Sequence, residues 1–252
     1  MTIWRLIPPL EAEGKLQMAI DEWLLEEHRR LKTPPTLRFY TWQPIALSLG
    51  YHQKRFPDFW QDLTWRGTKL DLVRRPSGGR GVLHQGDLTY AVVVSGIGGS
   101  RMAAYRKICE FLIEGWRSLD IELVYGDAGR GYIHNPNCFA TATGADLVLP
   151  NGVKLIGSAQ LRRDRSILQH GSILLEPDVD LFAQVFGEEA PGEVLESLQK
   201  LSPKINATGE TLRTIVIEAL VAAAGRCFDV EFAVEPLSGR EWEAIANFHR
   251  KP

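Results

Sequence analysis

The sequence is poor in cysteine: it has three among 252 residues, Cys109, Cys138 and Cys227. Their number is odd and their spacing fits no metal-binding pattern, so a disulfide framework is disfavoured and a reducing compartment is expected. The chain also lacks an uninterrupted apolar run of about 18 residues and an N-terminal signal peptide. We therefore expect a cytoplasmic protein with no membrane span.

An excess of charge of one sign is missing too. The chain has 29 Lys and Arg against 31 Asp and Glu, a net charge of −2. That balance leaves no overall basic footprint for nucleic acid, so any acidic partner must meet a local patch. Two nucleotide-binding motifs are also absent. There is no Gly-x-x-x-x-Gly-Lys-Ser/Thr loop, and the glycines that are present do not open a helix as Gly-x-Gly-x-x-Gly.

The most informative segment that is present is a basic, glycine-rich loop between two predicted strands. Its candidate ligand-binding residues are Arg74, Arg75, Ser77, Gly78, Gly79, Arg80, Gly81 and His84. Glycine lets backbone approach a ligand closely, successive N–H groups can face an anion, and arginine adds fixed positive charge. The loop predicts a site for an acidic or phosphate-bearing group. The alternative is a tight turn with solvated arginines.

Apolar periodicity predicts strands and helices in an irregular order. Strands are expected at 3–7, 36–42, 45–51, 71–75, 88–95, 121–125, 145–149, 153–159, 167–175 and 228–232. Helices are expected at 12–31, 101–119, 195–201, 210–224 and 238–248. Many strands form hairpin-like pairs, which is typical of an α+β fold and not of regular βαβ repeats.

Four local features lead to more specific predictions. Pro8-Pro9 should stop the first strand, and Gly225 should cap a helix. Asn151-Gly152 should form the turn of a hairpin. The acidic residues of the first helix, Asp21 among them, should be solvated.

Cys138 is the candidate nucleophile because it follows a long polar loop, and loops carry chemistry more often than core elements do. A thiolate is a strong nucleophile when a nearby cation lowers its pKa. The alternative is a buried small hydrophobe, the commoner fate of a free cysteine. Cys109 lies beside an apolar helix stripe and is expected in the core.

Lys154 begins the return strand of the predicted hairpin and should lie opposite Val148 or Leu149. A lone lysine near a turn is usually solvated. This one is followed by Gly157, Ser158 and Ala159, a small-residue run that permits close approach by a ligand, and His170 and Gly171 on the next strand could face the same cleft. About ten residues separate Cys138 from the strand opposite, roughly 33 Å if extended. Spacing therefore permits a Cys–Lys site but does not establish one.

In this order, the motifs together resemble the biotin/lipoate protein ligase and octanoyltransferase superfamily. The closest branch is the cysteine-dependent octanoyl-acyl-carrier-protein:protein N-octanoyltransferases. The resemblance covers roughly residues 15–175 of a chain expected to be one catalytic domain over 1–252. It rests on the segments 35–42 (PTLRFYTW), 49–53 (LGYHQ), 74–84 (RRPSGGRGVLH), 138–139 (CF), 154–160 (KLIGSAQ) and 169–175 (QHGSILL).

The resemblance implies a large mixed sheet flanked by helices, a smaller accessory sheet, and an acyl tunnel between them. It also implies that the thiolate of Cys138 takes an octanoyl group from octanoyl-acyl carrier protein. Lys154 matches the family's active-site lysine, and the glycine loop would meet the carrier's phosphopantetheine. A lysine of an apo lipoyl domain would then receive the acyl group without ATP, cofactor or metal. The aspartate usual after the loop histidine is Gln85 here, with Asp87 two residues further on.

Three other functions fit the same residues to different degrees. An amidotransferase would move octanoyl or lipoyl groups between lipoyl domains, such as glycine cleavage H protein and E2 subunits, with the same cysteine chemistry. An ATP-dependent lipoate ligase would form an adenylate and be indifferent to loss of Cys138. A non-catalytic lipoyl-domain or carrier-protein binding module would bind without turnover. Nucleic acid and membranes are not expected as partners, and a monomer is expected.

Overall fold

A computed structural model describes residues 2–126, 146–187 and 194–249. Within these ranges, thirteen strands, six α-helices and two short 3-10 helices, Asp58–Asp62 and Pro203–Ile205, are found. The strands are β1 Thr2–Ala12, β2 Thr36–Trp42, β3 Ala46–Leu49, β4 Thr64–Trp65, β5 Thr68–Lys69, β6 Asp71–Arg74, β7 Val82–His84, β8 Asp87–Ser95, β9 Val124–Tyr125, β10 Leu147–Val148, β11 Lys154–Arg163, β12 Ser166–Leu174 and β13 Val230–Val234. The helices are α1 Gly14–Arg29, α2 Arg101–Ser118, α3 Val179–Phe186, α4 Val194–Leu201, α5 Gly209–Phe228 and α6 Gly239–His249.

Two sheets organise the described residues, and the expected α+β fold is confirmed. Eight strands form a mixed sheet in the order β13-β1-β2-β8-β12-β11-β10-β9, and β6, β3 and β7 form a smaller one. A two-stranded ribbon, β4-β5, completes the set. In the large sheet β1 runs parallel to both of its neighbours, whereas β2, β8, β12, β11, β10 and β9 pair in antiparallel fashion.

Helices cover both faces of the large sheet because its central strands carry apolar residues on both sides. Leu88, Tyr90 and Val92 of β8 belong to the core beneath α2 and α5, whereas the alternate residues Ala91 and Val93 belong to the core beneath α1 and α6. Successive residues of a strand point to opposite faces of the sheet, so β8 contributes side chains to both hydrophobic cores. The predicted position of Cys109 is confirmed, since this residue is fully buried in the first core.

Two boundary predictions were wrong. Pro8 and Pro9 do not stop β1 but lie where its register with β2 shifts, between Ile7 and Leu10, and beyond the stretch that pairs with β13. Because the two prolines lie outside the regularly paired stretches, their lack of backbone N–H groups interrupts no regular ladder of β-sheet hydrogen bonds. Gly225 lies inside α5, which ends at Phe228 and is followed by its C-cap, Asp229, in the left-handed region with φ 54°.

The predicted hairpin is confirmed around its Asn-Gly turn. Val148 pairs with Lys154, and the N–H of Leu149 donates to the carbonyl of Val153 at 2.8 Å. Gly152 has a φ of +86°, the left-handed conformation that the turn requires. Lys154 is thereby fixed at the start of β11.

Among the described residues, no helix combines the length and the apolar character needed to cross a lipid bilayer.

Candidate active site

A cavity of about 410 Å³ lies between the two sheets. The large sheet contributes Tyr40 and Trp42 from β2 and a run of small residues from β11 and β12, and the small sheet contributes Ser48 and His84. Its volume falls within the usual range for small-molecule sites, about 300–1,000 Å³. The small residues that line it are Gly157, Ser158, Ala159 and Gly171. The sequence predicted all four as members of the site.

Gly171 is needed where β12 presses against β11. A Cβ built at Gly171 would come within 2.5 Å of the Ser158 hydroxyl and 2.7 Å of both the Gly157 carbonyl and the Tyr90 ring. The absent side chain therefore keeps this wall of the cavity flat, with the Ser158 hydroxyl 2.8 Å from that of Tyr90.

The glycine loop closes the cavity, and Arg75 fixes its shape from inside. The buried guanidinium of Arg75 donates to the carbonyls of Ser48, Gly78 and Arg80 at 2.6–3.1 Å. Gly79 takes a φ of +97°, and its carbonyl approaches Gly50 so closely that a Cβ there would lie 2.0 Å away. Gly78, Gly79 and Arg75 all line the cavity.

Other residues of the loop lie differently. Arg74 is exposed and donates to the carbonyls of Gly50, Tyr51 and Gln53, so it fastens the neighbouring segment. Arg80 is half-buried and Gly81 is buried.

His84 is a buried part of the cavity wall, and the carboxylate that orients it is Asp87. His84 Nδ1 lies 2.9 Å from Asp87 Oδ2, Nε2 lies 2.8 Å from the Ser48 hydroxyl, and the ring stacks on Trp42 with centroids 3.8 Å apart. Burial lowers the pKa of His84 and outweighs the opposing effect of Asp87. Asp87, two residues after Gln85, thus supplies the carboxylate beside the loop histidine.

Lys154 is buried and pairs with Asp146, which faces the cavity. Its Nζ lies 3.0 Å from Asp146 Oδ1, and the two side chains are 4% and 6% exposed. The arrangement therefore provides a cation at the edge of the cavity.

Cys138, the predicted nucleophile, lies outside the described residues. The two cysteines that are described suit covalent chemistry poorly. Cys109 is fully buried, and burial raises the pKa of its thiol to about 12. Burial also raises the pKa of the half-buried Cys227.

Sequence reasoning missed one buried polar cluster beside the cavity, because Asp21 was expected to be solvated. Asp21 is instead fully buried and accepts hydrogen bonds from Arg38 Nη1 at 3.1 Å and from the Tyr40 hydroxyl at 2.8 Å. Its Oδ2 also lies 2.8 Å from His170 Nδ1, and His170 Nε2 lies 2.5 Å from Ser77 Oγ. A signal was present: Asp21 lies one helical turn from Met18 and Leu24, on the buried side of α1.

A second, basic groove adjoins the cavity on the outer side of the glycine loop. It is lined by Glu22, Tyr51, His52, Arg74, Arg75, Pro76, Ser77, Gly78, Arg101, Gln160, Leu161, Arg162 and Arg163. The groove shares Gly78, Arg75, Arg101 and Gln160 with the cavity. Ser77 faces the groove and His170 faces the cavity, so their hydrogen bond lies where the two spaces meet.

No group of three His, Cys, Asp or Glu side chains suited to a metal ion occurs in the part of the chain described.

The fold and the site together define an α+β domain with a largely apolar cavity of small-molecule size between two sheets. Residues 13–222 match the model of the lipoyl protein ligase A/B catalytic domain. The chain belongs to this family.

Curated relatives and solved structures agree with this assignment. The octanoyltransferase LipM of Geobacillus kaustophilus is 38% identical over 93% of this chain and 88% of its own, and that of Clostridioides difficile is 35% identical over 100% and 96%. A lipoate-protein ligase A bound with ATP shares the fold with a TM-score of 0.72, at 21% identity over 98% of this chain and 94% of its own. The predictions of the superfamily, of its fold and of an octanoyltransferase are confirmed.

Proposed function

We propose that this protein transfers an octanoyl group from octanoyl-acyl carrier protein to the lysine of an apo lipoyl domain, through a thioester on Cys138. The observation that carries the proposal is the largely apolar cavity between the two sheets, with the Lys154–Asp146 ion pair at its edge. The curated octanoyltransferases among the relatives of this chain support the same function. The names of the curated relatives support transfer of an octanoyl group. The identity of the donor, the identity of the acceptor and the thioester intermediate are parts of the proposal.

The cavity suits a medium-length alkyl chain. Trp42, Met18, Val82 and Tyr105 supply apolar surface, and the flat wall of small residues leaves room beside them. Each buried methylene contributes about 0.8 kcal/mol to binding. The glycine loop, including Arg80 and Gly81, would hold the polar arm that carries the acyl group, with the charge of Arg74 close by.

The first half-reaction joins the acyl group to the enzyme. The Cys138 thiolate attacks the thioester carbonyl, the new C–S bond forms, and the carrier's thiolate leaves with the electron pair of the broken C–S bond. A nearby ammonium group lowers a thiol pKa and stabilises an oxyanion, and Lys154 is the cation for both tasks. Exchange between two thioesters is nearly isoenergetic, so this step requires no ATP.

The second half-reaction forms an amide. The neutral ε-amine of the lipoyl-domain lysine attacks the acyl-enzyme, a proton leaves the nitrogen, and Cys138 departs as the thiolate. Conversion of a thioester to an amide is downhill, which makes the transfer effectively irreversible. An amidotransferase would differ in its first step, because Cys138 would have to attack the amide of an acylated lipoyl domain and the departing amine would have to take up a proton as the C–N bond breaks.

The test is to incubate the protein with octanoyl-acyl carrier protein in the absence of ATP and to record intact mass. We expect one octanoyl adduct that maps to Cys138 and disappears when apo lipoyl domain is added. Cys138→Ala should abolish the adduct and the product, whereas the matched Cys227→Ala variant should retain both. Product formation that requires ATP, or full activity in Cys138→Ala, would overturn the proposal.

A further inference from the structure

We propose that the side chain of Met18 is the stop that sets the longest acyl chain the cavity accepts. The proposal concerns substrate specificity and rests on the proposed function in one respect, that the cavity holds the acyl chain. It starts from the position of Met18 on α1. Among the residues that the structure describes, Met18 alone lines both the acyl cavity and a second hollow, of about 310 Å³, between α1 and β6.

One side of the acyl cavity is a row of residues that crosses four neighbouring strands. Gly157 of β11 pairs with Ser172 of β12, Ser172 with Thr89 of β8, and Thr89 with Tyr40 of β2, and all four line the cavity. Neighbouring strands lie about 4.8 Å apart, so the row is roughly 14 Å long. Gly157 follows Lys154 by three residues, whereas Tyr40 belongs to the core beneath α1. An acyl chain whose carbonyl lies near Lys154 therefore extends along the row towards α1.

The hydroxyl groups of this row present no hydrogen to the chain. Thr89 and Ser172 both donate to Asp87 Oδ2, at 3.1 and 2.7 Å, and Tyr40 donates to Asp21 Oδ2 at 2.8 Å. Each hydroxyl has one hydrogen, which these bonds use. A hydrocarbon tail leaves no donor unpaired on this surface, so the row suits an alkyl chain.

The backbone at Met18 is held in place, so its side chain closes this end of the cavity. A Cβ built at Gly14 would lie 2.9 Å from Val73 Cγ1 and 3.2 Å from the Trp42 ring, so α1 begins tightly against β6 and β2. Gln17, the neighbour of Met18, is buried and donates from Nε2 to two backbone carbonyls, each at 3.0 Å. Met18 is itself buried, and an unbranched thioether fills irregular gaps between packed elements.

The hollow beyond Met18 gives a longer chain a place to extend. Ala19, Leu72, Val73 and Phe248 supply apolar surface to it, and the charged side chains of Lys15, Glu22 and Arg74 also line it. Removal of the Met18 thioether would join the two spaces and leave the row of cavity residues unchanged. The length of the accepted chain then depends on this one side chain.

The experiment measures how affinity depends on chain length. Octanamide, decanamide and dodecanamide are titrated calorimetrically, since these neutral amides require neither Cys138 nor a carrier protein. For wild type we expect affinity to stop rising beyond octanamide. In Met18→Ala each of two further methylenes should add about fourfold, equivalent to about 0.8 kcal/mol, so the affinity for decanamide relative to octanamide should rise at least tenfold. Transfer from decanoyl-acyl carrier protein, relative to octanoyl-acyl carrier protein, should increase in the same variant.

The matched control is Ile20→Ala. Ile20 lies on the same helix as Met18, is fully buried and belongs to the same core, but it lines neither the cavity nor the hollow. This variant should lower the free energy of unfolding without changing the length dependence. Met18→Val removes less of the side chain and replaces Met18→Ala if that variant does not fold, with a smaller shift in the same direction. Thermal melting verifies that each variant is folded.

Several outcomes would overturn the inference. A folded Met18→Ala or Met18→Val variant with the length dependence of wild type refutes the stop, as does an equal shift in Ile20→Ala, which would indicate general loosening of the core. Affinity that rises from octanamide to dodecanamide in wild type would mean that the cavity has no stop. If wild-type protein binds none of the amides and transfers no octanoyl group, the proposed function fails and the role of Met18 fails with it. Normal octanoyl transfer with an unchanged length limit in the variants refutes the role of Met18 alone.

Discussion

At the scale of single residues, the site contains two oppositely charged side chains that are buried together as an ion pair. Lys154 and Asp146 are both almost fully buried and lie 3.0 Å apart. Replacement of one member removes the oppositely charged neighbour of a buried charge, and such a loss costs about 3–5 kcal/mol. Replacement of both removes the charge altogether and is far less harmful.

We therefore expect Lys154→Met to lower the free energy of unfolding by about 3–5 kcal/mol and to abolish octanoyl transfer. The double variant Lys154→Met/Asp146→Asn should recover most of the stability and none of the activity. Urea unfolding and the acyl-transfer assay together measure both effects. A double variant as unstable as the single one would show that the two charges do not compensate each other.

At the scale of elements, the shape of the glycine loop is set by the strand end it rests upon. The Gly79 carbonyl lies against Gly50, where a Cβ would be 2.0 Å from the oxygen. No rotamer change relieves that contact, because both partners are backbone. The loop can keep its place only if residue 50 has no side chain.

Gly50→Ala should therefore displace the loop and raise KM for the proposed donor, octanoyl-acyl carrier protein, at least tenfold. The matched control is Gly98→Ala in the connector before α2, where a Cβ meets nothing within 4 Å. Steady-state kinetics of both variants, with thermal melting to verify folding, provide the measurement. Unchanged KM in Gly50→Ala would mean that the loop does not shape the donor site.

Elements with strong local patterns were predictable, and those that depend on distant partners were not. The strand 36–42 coincides with β2, and the helix 101–119 differs from α2 by one residue, because apolar spacing decides both. The helix α3 was missed although Asp178 caps it and accepts from the N–H of Leu181. Its eight residues lie within an acidic, proline-containing stretch in which the only predicted helix was at 195–201.

In the candidate site too, contiguous motifs were predictable from the sequence, whereas contacts between distant segments were not. Motif residues predicted the cavity wall, the loop and the hairpin lysine, since each motif is contiguous. Asp21 was misassigned because its partners come from β2 and β12, so a charge on an amphipathic helix looks the same in the sequence whether it faces water or Arg38. The contribution of the segment around Cys138 stays a prediction.

At the scale of the whole molecule, the buried guanidinium of Arg5 joins the first strand, β1, to the last helix, α6. Arg5 of β1 donates from Nη1 and Nη2 to both carboxylate oxygens of Glu241 in α6, at 2.6 and 2.9 Å, and also to the carbonyls of Glu235 and Pro236. Glu241 also caps α6 by accepting from the backbone N–H of Ser238, which confirms the predicted capping box.

Burial raises the pKa of Glu241, but hydrogen bonds from Arg5 and Ser238 outweigh burial and lower that pKa to about 2. A depressed carboxyl pKa contributes stability that is present above the unfolded value, 4.5, and is lost as the pH falls towards 2. Glu241→Gln should therefore reduce the free energy of unfolding by roughly 1–3 kcal/mol at pH 7. The difference from wild type should shrink below pH 4 and vanish near pH 2, as followed by urea titration. A difference independent of pH would contradict this assignment.

The strand order has a consequence for synthesis of the protein. β1 can pair with β2 soon after both have been synthesised, but its other edge pairs with β13, which begins only at residue 230. Until β13 has been synthesised, the nascent chain carries a strand with unpaired N–H and C=O groups on one edge, which is a template for misassembly. We therefore expect pairing of β13 with β1, and not emergence of the strands that form the cavity, to complete folding of the large sheet.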